Sequence, residues 1–259
     1  MAGAVVITRP LAQAGPLAAR VAALGRTVEI LPLLEIAPLP DQSALRAALA
    51  RLEHYALVAF VSPNAIDAAF AHIPRWPAGV TAAVVGEGSR AALAAHGVPH
   101  IVSPADSAHS DSEHLLQTLD LAALHGKPVL IVRGESGREL MADGLRAAGA
   151  LVDVVPAYRR SVPALTPALA ATLKRLLAQQ NDWLITSSEA LRGLCDILAK
   201  VDLHYPDAMQ QNSVVAMQQQ HLIVPHARIA ETANNLGFSK LTLTGSGDER
   251  LLAALQSRL

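Results

Sequence analysis

Short turns rich in serine, threonine and glycine recur along the chain, each following an apolar run and preceding a helical pattern. Such turns expose backbone N–H groups at the positive end of a helix dipole, an arrangement that binds anions. Any single turn is more simply explained as a helix cap. Their recurrence is therefore the observation that points to an anion site. The turns are residues 8–10, 62–64, 86–89, 133–136, 186–188, 225–226 and 244–247.

One of these turns also matches a nucleotide motif. Residues 86–91, Gly-Glu-Gly-Ser-Arg-Ala, have the G-x-G-x-x-A spacing, and Asp106 follows at about the distance of a ribose-binding acid. However, Glu87 would put a carboxylate inside the pyrophosphate cradle, and Asp106 falls in a loop of proline and serine. A nucleotide site is disfavoured here, although a nucleotide-dependent enzyme stays one alternative.

Metal and nucleophile motifs are weak. The segment 109–114, His-Ser-Asp-Ser-Glu-His, precedes a helix, and its spacing fits no helical ligand pair, so a solvated, acid-capped helix start is favoured. The sequence contains no HExxH, CxxC or GxSxG motif. The single cysteine, Cys195, shares a predicted helix face with Leu191, Leu194 and Leu198 and is interpreted as a core residue.

Tyr158 is one of three tyrosines and lies beside Arg159 and Arg160 in a proline-bounded segment. Two interpretations stay open from the pattern alone. The ring packs between two lobes of the fold, or the phenol forms a hydrogen bond with a bound ligand.

Composition excludes several classes of protein. The 259 residues are 51% hydrophobic and 17% charged, which is typical of a chain with a buried core. A net charge of −1 and an aromatic content of 3% argue against a nucleic-acid partner. No apolar run approaches the roughly 18–20 residues of a membrane span, and the first residues lack the basic region of a signal peptide. The sequence therefore predicts a cytoplasmic protein without a membrane partner.

The elements that would position these turns alternate along the chain. Short apolar runs with little polar alternation are typical of parallel strands covered on both faces by helices. Leucines such as Leu169, Leu173 and Leu176 mark the helices between them. The predicted class is α/β with right-handed crossovers. The predicted strands are 5–8, 28–31, 57–61, 82–85, 100–102, 129–132, 152–155, 183–186, 213–217, 221–224 and 241–244.

Local signals mark the ends of several helices. At 62–63 and 166–167, an N-cap residue is followed by proline at the first helical position. Ser136 and Glu139 have the spacing of a capping box. The glycines that we expect in the left-handed conformation after helices are Gly97, Gly149 and Gly237.

About ten strands are too many for one small sheet, so we predict two sheets in two lobes. Extended, proline-bounded stretches at 32–40 and 156–163 serve as the connections between them. A cleft between such lobes is where a small ligand is expected. The predicted parts are lobe 1 (1–33 plus 163–259), lobe 2 (39–156) and the linkers 34–38 and 157–162.

Eight segments, taken in order, resemble the uroporphyrinogen-III synthase family. No single segment is diagnostic, but the ordered set with its double crossover is specific. Ala227 departs from the pattern, because related bacterial sequences tend to carry proline after the histidine, and this loosens the helix start. The segments are VVITRP (5–10), LPLLEIAP (31–38), FVSPNAI (60–66), VVGEGSRAAL (84–93), VRGESGRELM (132–141), VVPAYRR (154–160), ITSSEAL (185–191) and VPHARIAE (224–231).

The resemblance implies two flavodoxin-like parallel-sheet lobes joined by a two-stranded β-ladder, with a cleft between them. It also implies the conversion of hydroxymethylbilane to uroporphyrinogen III, in which the linear tetrapyrrole loses water and closes while ring D is inverted. No metal or organic cofactor is implied. We expect a monomer that acts on this small-molecule substrate.

The resemblance also implies site residues. Tyr158 matches the tyrosine proposed in the family as the general acid that assists loss of the hydroxyl. Because the substrate carries many carboxylates and the chain is nearly neutral, local donors must supply the binding. The family match adds contacts made mainly by main-chain groups, at Ser62, Asn64, Ser89, Ser187 and Ser188. The strand-end turns add Gly86, with Arg9 and Arg133 as donors of charge-assisted hydrogen bonds.

Two rival functions are distinguishable from this one. A nucleotide-dependent enzyme that uses residues 86–91 would show a thermal shift with NAD(P) or ATP. A two-lobed small-molecule binding protein is disfavoured because no signal peptide is present. Such a binder would leave hydroxymethylbilane to close spontaneously to the type I isomer.

Overall fold

A computed structural model describes residues 3–104, 112–205 and 212–257. Contacts within the chain divide it into two compact units. Unit 1 comprises Met1–Glu35 and Ser161–Leu259, and unit 2 comprises Ile36–Arg160. From the sequence we predict two domains with the limits 1–33 plus 163–259 and 39–156. Those limits stay a prediction.

Strands and helices alternate along the described chain, and none of the described helices is long and apolar enough to cross a membrane. The strands are β1 (Val5–Ile7), β2 (Val28–Ile30), β3 (Glu35–Pro38), β4 (Leu57–Phe60), β5 (Thr81–Val84), β6 (Ile101–Val102), β7 (Pro128–Gly134), β8 (Leu151–Ser161), β9 (Asp182–Leu184), β10 (His221–Val224) and β11 (Leu241–Leu243). The helices are α1 (Leu11–Ala23), α2 (Ser43–Leu49), α3 (Pro63–Phe70), α4 (Glu87–Ala95), α5 (Ser112–Thr118), α6 (Leu140–Ala147), α7 (Pro167–Leu177), α8 (Ser188–His204), α9 (Ser213–Gln218), α10 (Ala227–Asn235) and α11 (Asp248–Gln256). A short 3-10 helix covers Leu52–His54.

The sheet of unit 1 has five parallel strands in the order β11-β10-β9-β1-β2. Numbered within the unit, this is the 2-1-3-4-5 order of flavodoxin-like folds. Its strands alternate between two buried clusters, as expected for a sheet covered on both faces. Val6 packs with residues of α7, α8 and α10, whereas Val5 and Ile7 pack with residues of α1 and α11.

The sheet of unit 2 has six strands in the order β3-β8-β7-β4-β5-β6, and the five from β8 to β6 are parallel. β3 pairs with β8, so the predicted ladder forms one edge of this sheet. Val58 and Phe60 face one core cluster, and Leu57 and Ala59 face the other. The predicted α/β class with two parallel sheets is confirmed.

The strand order of unit 2 differs from the flavodoxin-like order expected for both lobes. Counted from β4 to β8, the order is 3-2-1-4-5, the other common doubly wound arrangement. The chain first moves outward from β4 to β5 and β6, and then returns to the opposite side of β4 for β7 and β8. The direction of winding therefore changes between β4 and β7.

The predicted strand at 213–217 is wrong, because this segment forms the helix α9. The Asn212 side chain accepts hydrogen bonds from the N–H groups of Val214 and Val215, at 2.9 and 3.2 Å. The carboxylate of Asp202 accepts from the N–H of Ser213 at 3.0 Å. These bonds satisfy the N–H groups of the first turn, and this local capping overrides the strand preference of two adjacent valines.

The predicted capping box of Ser136 and Glu139 is also wrong. Helix α6 begins at Leu140, and the Glu139 side chain makes no capping bond. Because the helix begins after Glu139, Ser136 and Glu139 do not occupy the N-cap and N3 positions, and the Glu139 carboxylate accepts from the Arg133 guanidinium at 2.6 Å. The caps at Ser62 and Thr166 and the positive φ angles of the three predicted glycines are confirmed.

A buried ionic network lies at the amino ends of the unit 1 strands. Arg26 donates to Asp182 at 2.7 Å, and the two side chains are 4% and 9% exposed. The other carboxylate oxygen of Asp182 lies 2.8 Å from His221 Nδ1, and His221 Nε2 lies 3.0 Å from the Thr242 hydroxyl. Asp182 thus balances a guanidinium that is shielded from water.

Replacing Asp182 with alanine should lower the free energy of unfolding by about 3–5 kcal/mol, because the Arg26 charge would stay buried and unpaired. Glu249→Ala is the matched control, since Glu249 pairs with Arg20 at 2.6 Å on the exposed surface. That change should cost about 1 kcal/mol or less. Urea unfolding measures both, and equal losses would contradict the assignment.

Tyr55 ties the start of β4 to β8 within unit 2. Its ring packs in the core beside Val58, and its hydroxyl donates to Asp153 at 2.7 Å. Burial and this hydrogen bond raise the pKa of Tyr55 to about 12. The folded protein therefore holds the phenol proton more tightly than the unfolded chain does.

The contribution of Tyr55 to stability should depend on pH. It should be complete below about pH 10, the usual pKa of tyrosine, and be lost as the pH rises through about 12. We expect the difference in unfolding free energy between the wild type and Tyr55→Phe to be constant from neutral pH to about pH 10. Above that pH the wild type should lose stability relative to the variant, as chemical denaturation at a series of pH values would reveal.

Candidate functional site

The carboxyl ends of β4 and β7 form the switch point of unit 2, where the direction of winding changes. Ligands of open parallel sheets bind outside the strand ends at such a point. Ser62 follows β4, Arg133 and Gly134 end β7, and Tyr158 lies on the neighbouring β8. Three of the predicted site residues are therefore gathered at this edge.

Ser62 is the N-cap of α3 and links that helix to Tyr158. Its extended backbone lets Oγ accept from the N–H of Ala65 at 3.2 Å, while Pro63 occupies the first helical position. The same Oγ lies 3.0 Å from the Tyr158 hydroxyl. One hydroxyl thus joins the positive end of a helix dipole to a phenol.

Tyr158 is 5% exposed and packs in the core cluster that also holds residues of α3. Its backbone carbonyl accepts from the N–H of Glu135 at 2.8 Å. The pairing of β7 with β8 shifts at this point, from Arg133 opposite Pro156 to Gly134 opposite Tyr158. Ala157 is the extra residue of a β-bulge.

Gly134, which the sequence does not mark as a site residue, lies directly beneath the tyrosine ring. A Cβ atom at this position would stand 3.1 Å from Cζ of Tyr158 and 3.3 Å from its hydroxyl oxygen. A glycine at a strand end is a known signal of a bulge or of close approach. In the sequence, Gly134 is interpreted only as part of the turn 133–136, so its place at a strand end is not recognised.

The turn after β5 provides a second helix start in unit 2, close to the first. Gly86 is the N-cap of α4, in an extended conformation that any residue can adopt. Ser89 is 4% exposed, and its N–H donates to the Gly86 carbonyl at 3.1 Å. Asn64 is half-buried in the first turn of α3. The starts of α3 and α4 are adjacent, because the Pro63 side chain lies 3.9 Å from the position of a Cβ built on Gly88.

The structure places the nucleotide-like motif 86–91 at the second strand-to-helix turn of unit 2, counting from β4. Dinucleotide-binding folds carry this motif at the first such turn. That first turn is the one containing Ser62. Asp106, the expected ribose-binding acid, lies outside the described residues.

Both predicted anion-binding arginines are paired with carboxylates of the chain. Arg133 donates to Glu139 at 2.6 Å and to the Arg138 carbonyl at 3.1 Å. In unit 1, Arg9 lies 2.7 Å from Asp248. Each arginine side chain is mostly buried, with exposures of 17% for Arg133 and 18% for Arg9. An incoming carboxylate would therefore compete with one already present.

The serines of unit 1 have different surroundings. Ser187 is the N-cap of α8 and accepts from the N–H of Ala190 at 3.3 Å. Ser188 is 5% exposed, and its hydroxyl lies 3.0 Å from that of Thr232 on α10. The Ser188 side chain thus ties α8 to α10. Ser187 and Ser188 both follow β9, next to β1, where the winding of unit 1 changes direction.

The remaining candidate residues are peripheral to these two strand edges. In the segment 109–114, residues 109–111 lie outside the described residues, and Glu113 pairs with Arg138 at 3.2 Å. Across the part of the chain that the structure describes, no group of three or more His, Cys, Asp or Glu side chains is arranged to hold a metal ion. Cys195 is half-buried against the core, and burial raises its pKa to about 11.

These observations define a protein of two doubly wound α/β units with serine-capped helices at the strand ends. Residues 15–241 match the family described as uroporphyrinogen-III synthase HemD. The uroporphyrinogen-III synthase of Salmonella typhimurium is 30% identical over 97% of this chain and 99% of its own length. That of Escherichia coli is 28% identical, with the same coverage.

Solved structures agree on the fold. A mutant uroporphyrinogen III synthase from the extremely thermophilic bacterium Thermus thermophilus has a TM-score of 0.61 at 14% identity, covering 99% of each chain. The Helicobacter pylori uroporphyrinogen-III synthetase has a TM-score of 0.61 at 16% identity, covering 99% of this chain and 100% of its own. The chain belongs to the uroporphyrinogen-III synthase family, as its segments predicted, and is a hydro-lyase of tetrapyrrole biosynthesis.

Proposed function

We propose that the protein converts hydroxymethylbilane to uroporphyrinogen III, with loss of water and inversion of ring D, and that Tyr158 is the general acid of this reaction. We also propose that the enzyme is cytoplasmic and acts as a monomer. The observation that carries the assignment of the acid is the 3.0 Å contact between the Tyr158 and Ser62 hydroxyls at the switch point of unit 2.

The hydrogen bonds around Ser62 favour one direction of proton donation. Because Ser62 Oγ accepts from the N–H of Ala65, its own proton is available to Tyr158. Tyr158 can then donate its proton outward to the hydroxyl group of the substrate. A run of donors pointing the same way polarises each member, and the positive end of α3 stabilises the phenolate that is left.

The chemistry needs one proton at the leaving group. As the C–O bond of the hydroxymethyl group breaks, Tyr158 supplies the proton with which the oxygen leaves as water. The azafulvenium cation that forms, which keeps its pyrrole N–H, is attacked by the substituted carbon of ring D. This gives a protonated spirocyclic pyrrolenine that rearranges to the inverted macrocycle. The final loss of a ring proton returns a proton to the phenolate, so the overall change is the loss of one water.

Binding of the acidic side chains of the substrate is proposed to rely on local N–H donors. The chain is close to neutral, with a net charge of −1, so long-range attraction is weak. In unit 2 the proposed contacts are the helix starts at Ser62, Asn64, Gly86 and Ser89, with Arg133. In unit 1 they are Arg9, Ser187 and Ser188. Much of the rate then derives from holding ring D so that its substituted carbon attacks the carbon that has lost its hydroxyl group.

Replacing Tyr158 with phenylalanine should slow formation of uroporphyrinogen III by about 10²- to 10⁴-fold, the usual contribution of a general acid, with KM little changed. Freshly prepared hydroxymethylbilane is the substrate, and the isomer ratio of the product is the readout. The type I fraction should rise as spontaneous closure competes.

Tyr55→Phe is the matched control, because it removes a buried hydroxyl from the same unit at a site away from the switch point. It should leave the rate and the isomer ratio unchanged. An unchanged rate in Tyr158→Phe would overturn the acid assignment and leave the family intact.

Replacing Glu139 with glutamine tests Arg133 as a substrate contact. The change weakens the partner that holds this guanidinium at 2.6 Å, so KM should fall roughly tenfold, which corresponds to about 1.4 kcal/mol. Glu249→Gln, which alters the exposed partner of Arg20, should have no effect on KM. An unchanged or higher KM in Glu139→Gln would identify Arg133 as an anchor of the turn alone.

A further inference from the structure

We propose that Gly134 is a positioning residue for Tyr158, acting together with the bulge at Ala157. The inference rests on the proposed role of Tyr158 in the reaction. It assigns a task to a residue that carries no side chain.

The alternation of side chains along β8 shows what the bulge does. Val132 and Val155 are directly paired, and both face the core cluster on the α3 side of the sheet. Ala157, two residues on, faces the same cluster. Regular alternation would then turn Tyr158 to the opposite face. The register shift instead pairs Tyr158 with Gly134, so its ring also lies on the side that holds Ser62.

The ring occupies the space that a side chain at position 134 would fill. The nearest ring atoms to a Cβ built there are Cζ at 3.1 Å, Cε2 at 3.3 Å and the hydroxyl oxygen at 3.3 Å. Gly134 is not among the glycines with a positive φ. Other residues could adopt its backbone conformation, so the glycine is required for space rather than for flexibility.

The position of the ring determines the hydrogen bond to Ser62. A methyl group at position 134 would displace the ring by a few tenths of an ångström, from the side that bears the hydroxyl. The oxygen atoms of Tyr158 and Ser62 are already 3.0 Å apart, toward the long end of the O–H···O range. Gly134 therefore maintains both the aim of the acid and its link to the start of α3.

The test is Gly134→Ala, compared with the wild type and with Gly79→Ala. Gly79 lies in the same unit and has open space around its Cβ position. We expect Gly134→Ala to slow type III formation on the order of ten- to a hundredfold and to raise the type I fraction. Gly79→Ala should match the wild type.

A double-mutant cycle separates positioning from general damage to the fold. In a Tyr158→Phe background the hydroxyl is already missing, so adding Gly134→Ala should change the rate by less than about twofold. A further loss as large as that in the wild-type background would overturn the proposal, since Gly134 would then act through something other than the phenol.

The remaining outcomes are also decisive. Full activity of Gly134→Ala overturns this inference and leaves the proposed function standing, whereas a wild type that yields only type I product overturns the proposed function itself.

If Gly134→Ala does not fold, the wild-type protein provides the test by NMR. A nuclear Overhauser effect between the Gly134 Hα protons and the Tyr158 ring, with an upfield Hα shift, supports the contact, and its absence overturns it.

Discussion

The hydroxyl of Ser62 has two partners, and the proposed chemistry of unit 2 depends on that double use. One lone pair accepts the N–H of Ala65 and so completes the first turn of α3. The oxygen also faces the phenol of Tyr158. The residue that begins this helix thereby also orients the proposed acid. Ser62 follows β4 and β8 carries Tyr158, so the parallel sheet determines where the two hydroxyls meet.

The arginine charges at the strand ends are already paired with carboxylates of the chain when no ligand is bound. Arg133 and Arg9 are each paired with a carboxylate of the chain, and neither stands as an isolated positive charge. This agrees with the near-neutral composition. Such an arrangement favours recognition by directional N–H groups over attraction by net charge. It also keeps each guanidinium in a fixed position, because a paired fork is held by its hydrogen bonds.

Local patterns in the sequence predicted most of the fold. Ten of the eleven predicted strands are present within a few residues, because apolar runs covered on both faces leave a strong signal. The segment 213–217 was misread, because its capping bonds come from Asn212, the residue before it, and from Asp202 on the preceding helix. The strand order of unit 2 was likewise beyond reach, since it depends on which neighbour each strand pairs with.

The candidate site, like the fold, was only partly predictable from the sequence. Ser62 was recognisable from the serine-proline pair that begins a helix, and Tyr158 from its rarity and its place in a matching segment. The contact between them was not predictable, because Ala157 carries no sign that it is the extra residue of a bulge. Nor did the sequence indicate that the Ser188 side chain would bond to Thr232, or that Glu139 would hold Arg133 rather than cap α6.

The bulge at Ala157 bears on how diverged relatives are compared. The bulge leaves Tyr158 paired with Gly134, so the hydrogen-bonded register, rather than the number of preceding residues, describes its place in the sheet. A chain without the extra residue would keep the same phenol at the same point by carrying it one position earlier. Among proteins only 14–16% identical, aligned columns can then separate two tyrosines that are equivalent in space. Functional correspondence in such lineages has to be traced along the hydrogen-bonded register, strand against strand.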